Sequence, residues 1–300
     1  MSEVLRGIFP VLQTPLSEDG AFDIGSLKRQ VNFCIQAGAH GLVYPVLGGE
    51  FQFLTEGERH QLVEVVISEA NGRVPVVVGV AGQTKSAAIL HAKHAAQAEA
   101  DAVIALPPYI SAGTRDEIRD YYKAIAQAAQ RPVFIQHTHA GMDAAFLRSL
   151  LEEVEFVSYV KEENHPSAHQ ISAVLEKVGD SCLGVFGGSH GRWMLSELHR
   201  GASGFMPAAE STDIHVQIWE AYQSGDEAGA RKIFNQLLPL INLICLLGLR
   251  VCKEVLVRRG VFESTRMCMP GTMSLDDEDR RELEILMDDL KPLYRVPRLS

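Results

Sequence analysis

Eight short and almost uninterrupted apolar runs constrain this chain most, at 7–14, 41–46, 74–81, 102–106, 133–138, 157–162, 182–186 and 204–208. They are rich in Val, Ile, Leu and Ala and do not alternate with polar residues, which is the pattern of parallel strands buried on both faces. Between them lie segments such as 54–70 and 84–98 whose apolar residues recur every three or four positions, as on a helix. The runs start about 22 to 34 residues apart, the length of a βα unit. Eight such units predict an α/β fold, a closed (β/α)8 TIM barrel, with an open doubly wound sheet as the alternative.

Helix punctuation agrees with this register. Ser26 before Leu27, Thr55 with Glu58 and Thr114 with Glu117 have the form of N-terminal caps. Gly38, Gly179 and Gly260 stand where helices should stop. Residues 1–225 are read as the barrel, and 226–300 as a C-terminal extension of about three helices packed on it, broken near Gly260 and Pro270. The stripe Leu237, Leu240, Ile241, Ile244 and Leu247 is at helical spacing and reads as packing or an oligomer contact.

With 46% hydrophobic residues in 300, the chain can bury a large core. A formal net charge of -10 without any basic run argues against a nucleic-acid partner. The apolar stretch 237–249 is interrupted by Pro239 and Asn242, and a bilayer span needs roughly 20 residues. With no secretory signal visible at the N-terminus, a cytoplasmic location without membrane attachment is expected. Cys34, Cys182, Cys245, Cys252 and Cys268 are odd in number, include no C-x-x-C pair and read as core thiols of a reduced compartment.

Catalytic residues of a barrel sit at the C-terminal ends of strands. Eight of the nine lysines fall on segments that read as helices, where a solvated position is expected. Lys161 instead ends the run Phe156-Val157-Ser158-Tyr159-Val160. A lysine pointing into a barrel is desolvated, which favours the free amine that attacks a carbonyl. The competing reading is a structural lysine paired with Glu162 or Glu163.

The segments Val160-Lys161-Glu162, Gly49-Glu50-Phe51 leading into Leu54-Thr55-Glu56, and Pro107-Pro108-Tyr109 resemble the dihydrodipicolinate synthase and N-acetylneuraminate lyase family. Gly7-Ile8-Phe9-Pro10 with Thr14-Pro15, and Gly201-Ala202-Ser203-Gly204, match as well, so the resemblance runs in order from about residue 6 to 295. It implies a barrel with a C-terminal helical extension and a homotetramer or dimer. It also implies that Lys161 forms an imine with pyruvate or another 2-oxo acid, without a cofactor. Where many members carry G-T-T-G-E, this chain has Val46-Leu47-Gly48-Gly49-Glu50, leaving the backbone of Leu47, Gly48 and Gly49 to hold the substrate carboxylate. Gln136 takes the place of the proton-shuttling tyrosine, Gly141 that of an arginine, and Ile110 that of a second relay tyrosine.

Glutamine at the tyrosine position is similar to the branch that dehydrates 2-keto-3-deoxy sugar acids. That reaction needs no second carbonyl substrate, but it needs a base for the C3 proton. His137, His139, His190, Tyr109 and Glu50 are the candidates. By the same resemblance Tyr109 and His137 contact substrate, Gly188 and Ser189 face its distal end, and Met206 lines the opposite wall. On a strand His137 and His139 share the face opposite to Gln136.

His137-Thr138-His139 is also a potential metal pair, but no strand end offers an obvious third ligand, and no metal is expected. No G-x-S-x-G elbow of a serine hydrolase occurs. The sequence therefore points to a Schiff-base lyase that dehydrates a 2-keto-3-deoxy acid. The alternatives are a pyruvate-dependent carbon-carbon lyase and a non-catalytic 2-oxo-acid binding protein.

Overall fold

The computed structural model describes residues 4–111, 113–138 and 141–297. Its eight strands are β1 (Gly7–Ile8), β2 (Leu42–Tyr44), β3 (Val76–Gly79), β4 (Ala102–Ala105), β5 (Val133–His137), β6 (Val157–Glu162), β7 (Gly184–Gly187) and β8 (Gly204–Phe205). All pairings are parallel, in the order β1-β8-β7-β6-β5-β4-β3-β2. Val11 bridges both Val43 and Ala208, and the Leu12 N–H reaches the Val43 carbonyl at 3.0 Å. Those contacts join β1 to β2 and close the barrel. The expected TIM barrel is therefore found, and the open sheet is excluded.

Helices α1 (Ile24–Gln36), α2 (Glu56–Ala70), α3 (Lys85–Gln97), α4 (Arg115–Ala129), α5 (Ala144–Glu153), α6 (Ser167–Val178), α7 (Met194–Leu198) and α8 (Thr212–Gln223) follow the strands in turn. Thr55 with Glu58 and Thr114 with Glu117 form complete capping boxes. At α1 the cap is Asp23, whose carboxylate accepts from the Ser26 N–H; Ser26 itself lies buried in the first turn. The residue preceding the first apolar position was thus three residues late, because the helix begins with the half-buried Ile24.

Strand alternation splits the core in two. Phe9, Val11, Val43, Val77, Ile104, Phe134, Tyr159, Phe186 and Met206 fill the barrel, while the remaining apolar positions pack between strands and helices. Phe134 stacks on Tyr159 at 4.4 Å, and Phe186 meets both Phe9 and Phe134 edge-on. Small residues make room for these rings: a Cβ on Gly41 would lie 2.1 Å from the Phe9 ring. The aromatic layer floors the barrel, and side chains one pleat further along the strands sit above it.

After α8 come α9 (Glu227–Leu247), α10 (Leu249–Arg258) and α11 (Asp277–Leu290). Helix α9 runs unbroken through Pro239 and Asn242, so it is long and apolar enough by length and composition to cross a membrane. Its Phe234, Leu237, Leu240, Ile241 and Ile244 are buried, and it packs against α8, α10 and α11. The break falls instead at Gly248, which caps α9 with φ 83°. Cys245, read as a core thiol, is exposed.

Candidate active site

Residues 159, 161 and 163 share one face of β6 and its continuation. Tyr159 belongs to the aromatic floor, Lys161 stands above it, and Glu163 follows at the rim of the barrel. On β5 the same pleat puts Gln136 beside them. Lys161, Glu163 and Gln136, with Val11, Leu47, Gly48, Ser189, His190, Met206, Ala208 and Leu249, line a cavity of about 290 Å³.

Glu163 is the hub. Its Oε1 lies 3.1 Å from Lys161 Nζ, and its Oε2 accepts from the Gln136 amide at 2.6 Å. The Ser189 N–H reaches Oε1 at 3.2 Å. Burial on its own raises the Glu163 carboxyl, but the Lys161 ammonium, the Gln136 amide and the Ser189 N–H outweigh it and hold it below its ordinary range. Glu163 is therefore a carboxylate at neutral pH, fixed against the one lysine that enters the cavity.

The turn after β7 bends sharply. Ser189, His190 and Gly191 have φ 48°, 58° and 74°, and His215 Nε2 bonds the His190 carbonyl oxygen at 3.0 Å. Two consecutive non-glycine residues in the left-handed region carry backbone strain. The conformation puts Ser189 and His190 into the cavity wall. Burial pushes the His190 imidazole down to about 4, with His215 and Lys161 acting in the same direction against Glu163, so the ring is neutral.

Of the residues singled out in the sequence, Lys161, Gln136, Leu47, Gly48, Ser189 and Met206 meet at this cavity. Gly49 does not line it: its N–H is engaged by the Val46 carbonyl at 2.8 Å, and its carbonyl accepts from Thr14 Oγ at 2.6 Å. Gly188 does not line it either, but a Cβ there would fall 2.3 Å from Glu163 Oε1, so glycine lets that carboxylate approach.

Tyr109 lies outside, packed edge-on against Phe51 at 5.6 Å, because its loop is tied to Gln83 through the Tyr109 and Ile110 N–H groups. His137 is the clearest correction. The pleat that turns Gln136 inward turns His137 outward, where its Nδ1 meets Glu162 Oε2 at 2.7 Å, both side chains buried. His139 lies outside the described residues.

Glu50, a candidate base, is spent elsewhere. Its carboxylate pairs with Lys253 Nζ at 2.7 Å and accepts the Met269 N–H at 2.9 Å. Lys253, expected on a solvated helix face, is fully buried and also donates to the Thr14 and Arg266 carbonyls. The sequence left the role of Glu163 unread, naming it only as a structural partner for Lys161. The signal was its place two residues beyond the lysine, on the same strand face.

The chain is similar to known proteins over nearly its whole length. Residues 4–290 match the model of the dihydrodipicolinate synthetase family. An L-2-keto-3-deoxyarabonate dehydratase of Azospirillum brasilense is 31% identical, covering 96% of this chain and 95% of that one. A 4-hydroxy-tetrahydrodipicolinate synthase of Bifidobacterium longum is 28% identical over 88% of each chain. Among solved structures, a dihydrodipicolinate synthase from Rhodopseudomonas palustris superposes with a TM-score of 0.87 at 26% identity, over 95% of this chain and 97% of that one.

Proposed function

The chain belongs to the dihydrodipicolinate synthetase family and is a lyase, and from that premise we propose that it dehydrates a 2-keto-3-deoxy sugar acid through an imine on Lys161. One observation carries this reading: the Glu163 carboxylate, 3.1 Å from Lys161 Nζ, is the base that a dehydration needs.

In this mechanism Glu163 takes a proton from Lys161, the freed amine attacks the C2 carbonyl, and the carbinolamine hydroxyl leaves as water with that proton returned by Glu163, giving an iminium ion. Glu163 removes a C3 proton, and the electron pair moves into the iminium to form an enamine. The enamine expels the C4 hydroxyl, which leaves as water with the proton carried by Glu163. Hydrolysis of the imine frees the product and restores Lys161. Imine formation and hydrolysis release and consume one water each, so the net change is the loss of one water from the substrate.

No second carbonyl compound enters, so no relay of hydroxyls is required, and Leu47, Ile110 and Gln136 stand where the sequence expects that relay. Leu47 and Gly48 offer backbone amides to the substrate carboxylate, with Gly49 behind them. Gln136 orients Glu163, Ser189 meets a distal hydroxyl and Met206 forms the facing wall. The reading makes the partner a small 2-oxo acid and places a homotetramer or dimer in the cytoplasm. The dehydratase name of the Azospirillum relative supports elimination of water over carbon-carbon cleavage.

Borohydride reduction in the presence of pyruvate or a panel of keto-deoxy acids tests the imine, read by mass spectrometry. An adduct on Lys161, absent in Lys161→Ala, is expected. No adduct, with binding unchanged in Lys161→Ala, would leave a binding protein in place of an enzyme. Product analysis then tests the reaction: pyruvate released from a keto-deoxy acid would show carbon-carbon cleavage and overturn dehydration.

A further inference from the structure

Behind the cavity wall, three side chains from separate elements converge. His190 comes from the turn after β7, Glu210 from the one-turn helix Ala209–Ser211 after β8, and Cys252 from α10. One ligand atom of each lies within 4.8 Å of the other two. Glu210 and Cys252 are 1% and 0% exposed. His190 Nδ1 and Glu210 Oε2 are both removed from solvent without a hydrogen-bond partner among the described residues. Leaving such atoms unpaired is costly, and more so for a charged group.

Among the described residues no cation bonds the Glu210 carboxylate, which faces the Ser211 hydroxyl and the Cys252 thiol. The nearby Arg259 gives both Nη atoms to the Asp213 carboxylate, at 2.9 and 2.7 Å, and touches Glu210 only through its backbone carbonyl.

We propose that His190, Glu210 and Cys252 form a binding site for a borderline-soft divalent cation of the zinc class. An imidazole nitrogen, a carboxylate oxygen and a thiolate are the ligand types zinc takes. A thiolate and a carboxylate also neutralise the two charges of the ion, so a buried site holds no net charge. Zinc ligands at about 2.0–2.3 Å place donor atoms roughly 3.5 Å apart, and small side-chain rotations close the present cluster to that spacing. The three protein ligands leave the fourth position of the ion to water, and the ion would pin the strained turn carrying His190 to α10. The proposal rests on neither the imine nor the reaction, and it departs from the metal-free chain expected from sequence.

The test loads purified protein with Zn²⁺ or Co²⁺, followed by dialysis against metal-free buffer. One equivalent of zinc per chain is expected by elemental analysis. Cobalt-loaded protein should show a thiolate-to-cobalt charge-transfer band. Cys252→Ser should abolish that band, and Glu210→Gln should weaken retention by at least about 10- to 100-fold, each checked for folding by circular dichroism.

A second histidine cluster serves as the control. His60 Nε2 lies 3.0 Å from His91 Nδ1 and its ring stacks on His94 at 3.9 Å; the double variant His60→Ala, His94→Ala should retain the ion. Absence of stoichiometric metal and of the band in the unmodified protein overturns the proposal, and it does not depend on any variant folding. Retention that survives Cys252→Ser but is lost from the His60, His94 variant overturns it as well.

Discussion

At the scale of single residues, Lys161 was legible because strand position and desolvation are both read from sequence, and β6 ends where the apolar run ends. Glu163 was harder, because a carboxylate two residues from a lysine reads equally as an ion-pair partner or a base. Only the cavity shows that it also takes the Gln136 amide and a backbone N–H. Glu163→Gln should lower kcat by about 10² to 10⁴, the usual worth of a general base. Imine trapping on Lys161 should persist, so a loss of trapping together with turnover would assign Glu163 to lysine positioning instead.

His137 was a substrate contact only by resemblance, while the strand period put it on the face opposite to Gln136, where it pairs with Glu162. Glu197 was not read at all. It is buried behind β7, and a Cβ on Gly187 would meet its Oε2 at 2.2 Å.

Among the elements, strands and capping boxes followed the sequence closely, since periodicity and local hydrogen bonding decide both. What escaped were features set by neighbours. The pair His137–Glu162 joins β5 to β6 beneath the helices, and burial pushes the Glu162 carboxyl up while His137 opposes it. Glu162→Ala removes a buried hydrogen-bonded contact of His137 and should destabilise the protein by about 1–3 kcal/mol, measured by urea unfolding. A loss under about 1 kcal/mol would mean that water or another group replaces the carboxylate. Helix α9 runs through the interruption that the sequence shows at Pro239: proline usually ends a helix, yet packing against α8, α10 and α11 carries this one on.

For the whole molecule, two buried charges tie distant parts together. Lys253 on α10 joins Glu50, Thr14 and Arg266, linking the C-terminal helices to the turn at 47–50. Lys253→Met should cost about 3–5 kcal/mol by stranding the Glu50 carboxylate. Its KM for a 2-oxo acid should rise, because Glu50 follows the turn that faces the substrate carboxylate. A stability loss without any change in KM would confine Lys253 to a structural role.

Glu197 contributes to the pH response, as does Glu210, which burial raises to about 7 as well. Burial raises the Glu197 carboxyl from an ordinary 4.5 to about 7, with Ser167 opposing and Glu162 and Glu163 adding. The folded protein then holds a proton that the unfolded chain releases, so stability falls as pH rises from about 4.5 to about 7 and levels off above. At about 1.4 kcal/mol per pH unit the full effect is on the order of 3 kcal/mol. Glu197→Gln should match the unmodified protein near pH 4.5 and exceed it near pH 8 in unfolding free energy. Parallel pH profiles for the two proteins would show that Glu197 titrates normally.

The sequence by itself determined the barrel, the position of the lysine at a strand end, and that Leu47, Ile110 and Gln136 stand where the resemblance implies a relay of hydroxyls. Each of these follows from local pattern: periodicity, strand ends, and which side chain occupies a motif position. Tertiary structure alone decided which carboxylate faces the lysine, that His137 pairs with Glu162 and Glu50 with Lys253, that Lys253 is buried, and that His190, Glu210 and Cys252 converge. These depend on the direction of a side chain from its strand and on contacts between residues far apart in the chain. Composition and spacing do not carry that information, because the same residue is buried or solvated according to what folds over it.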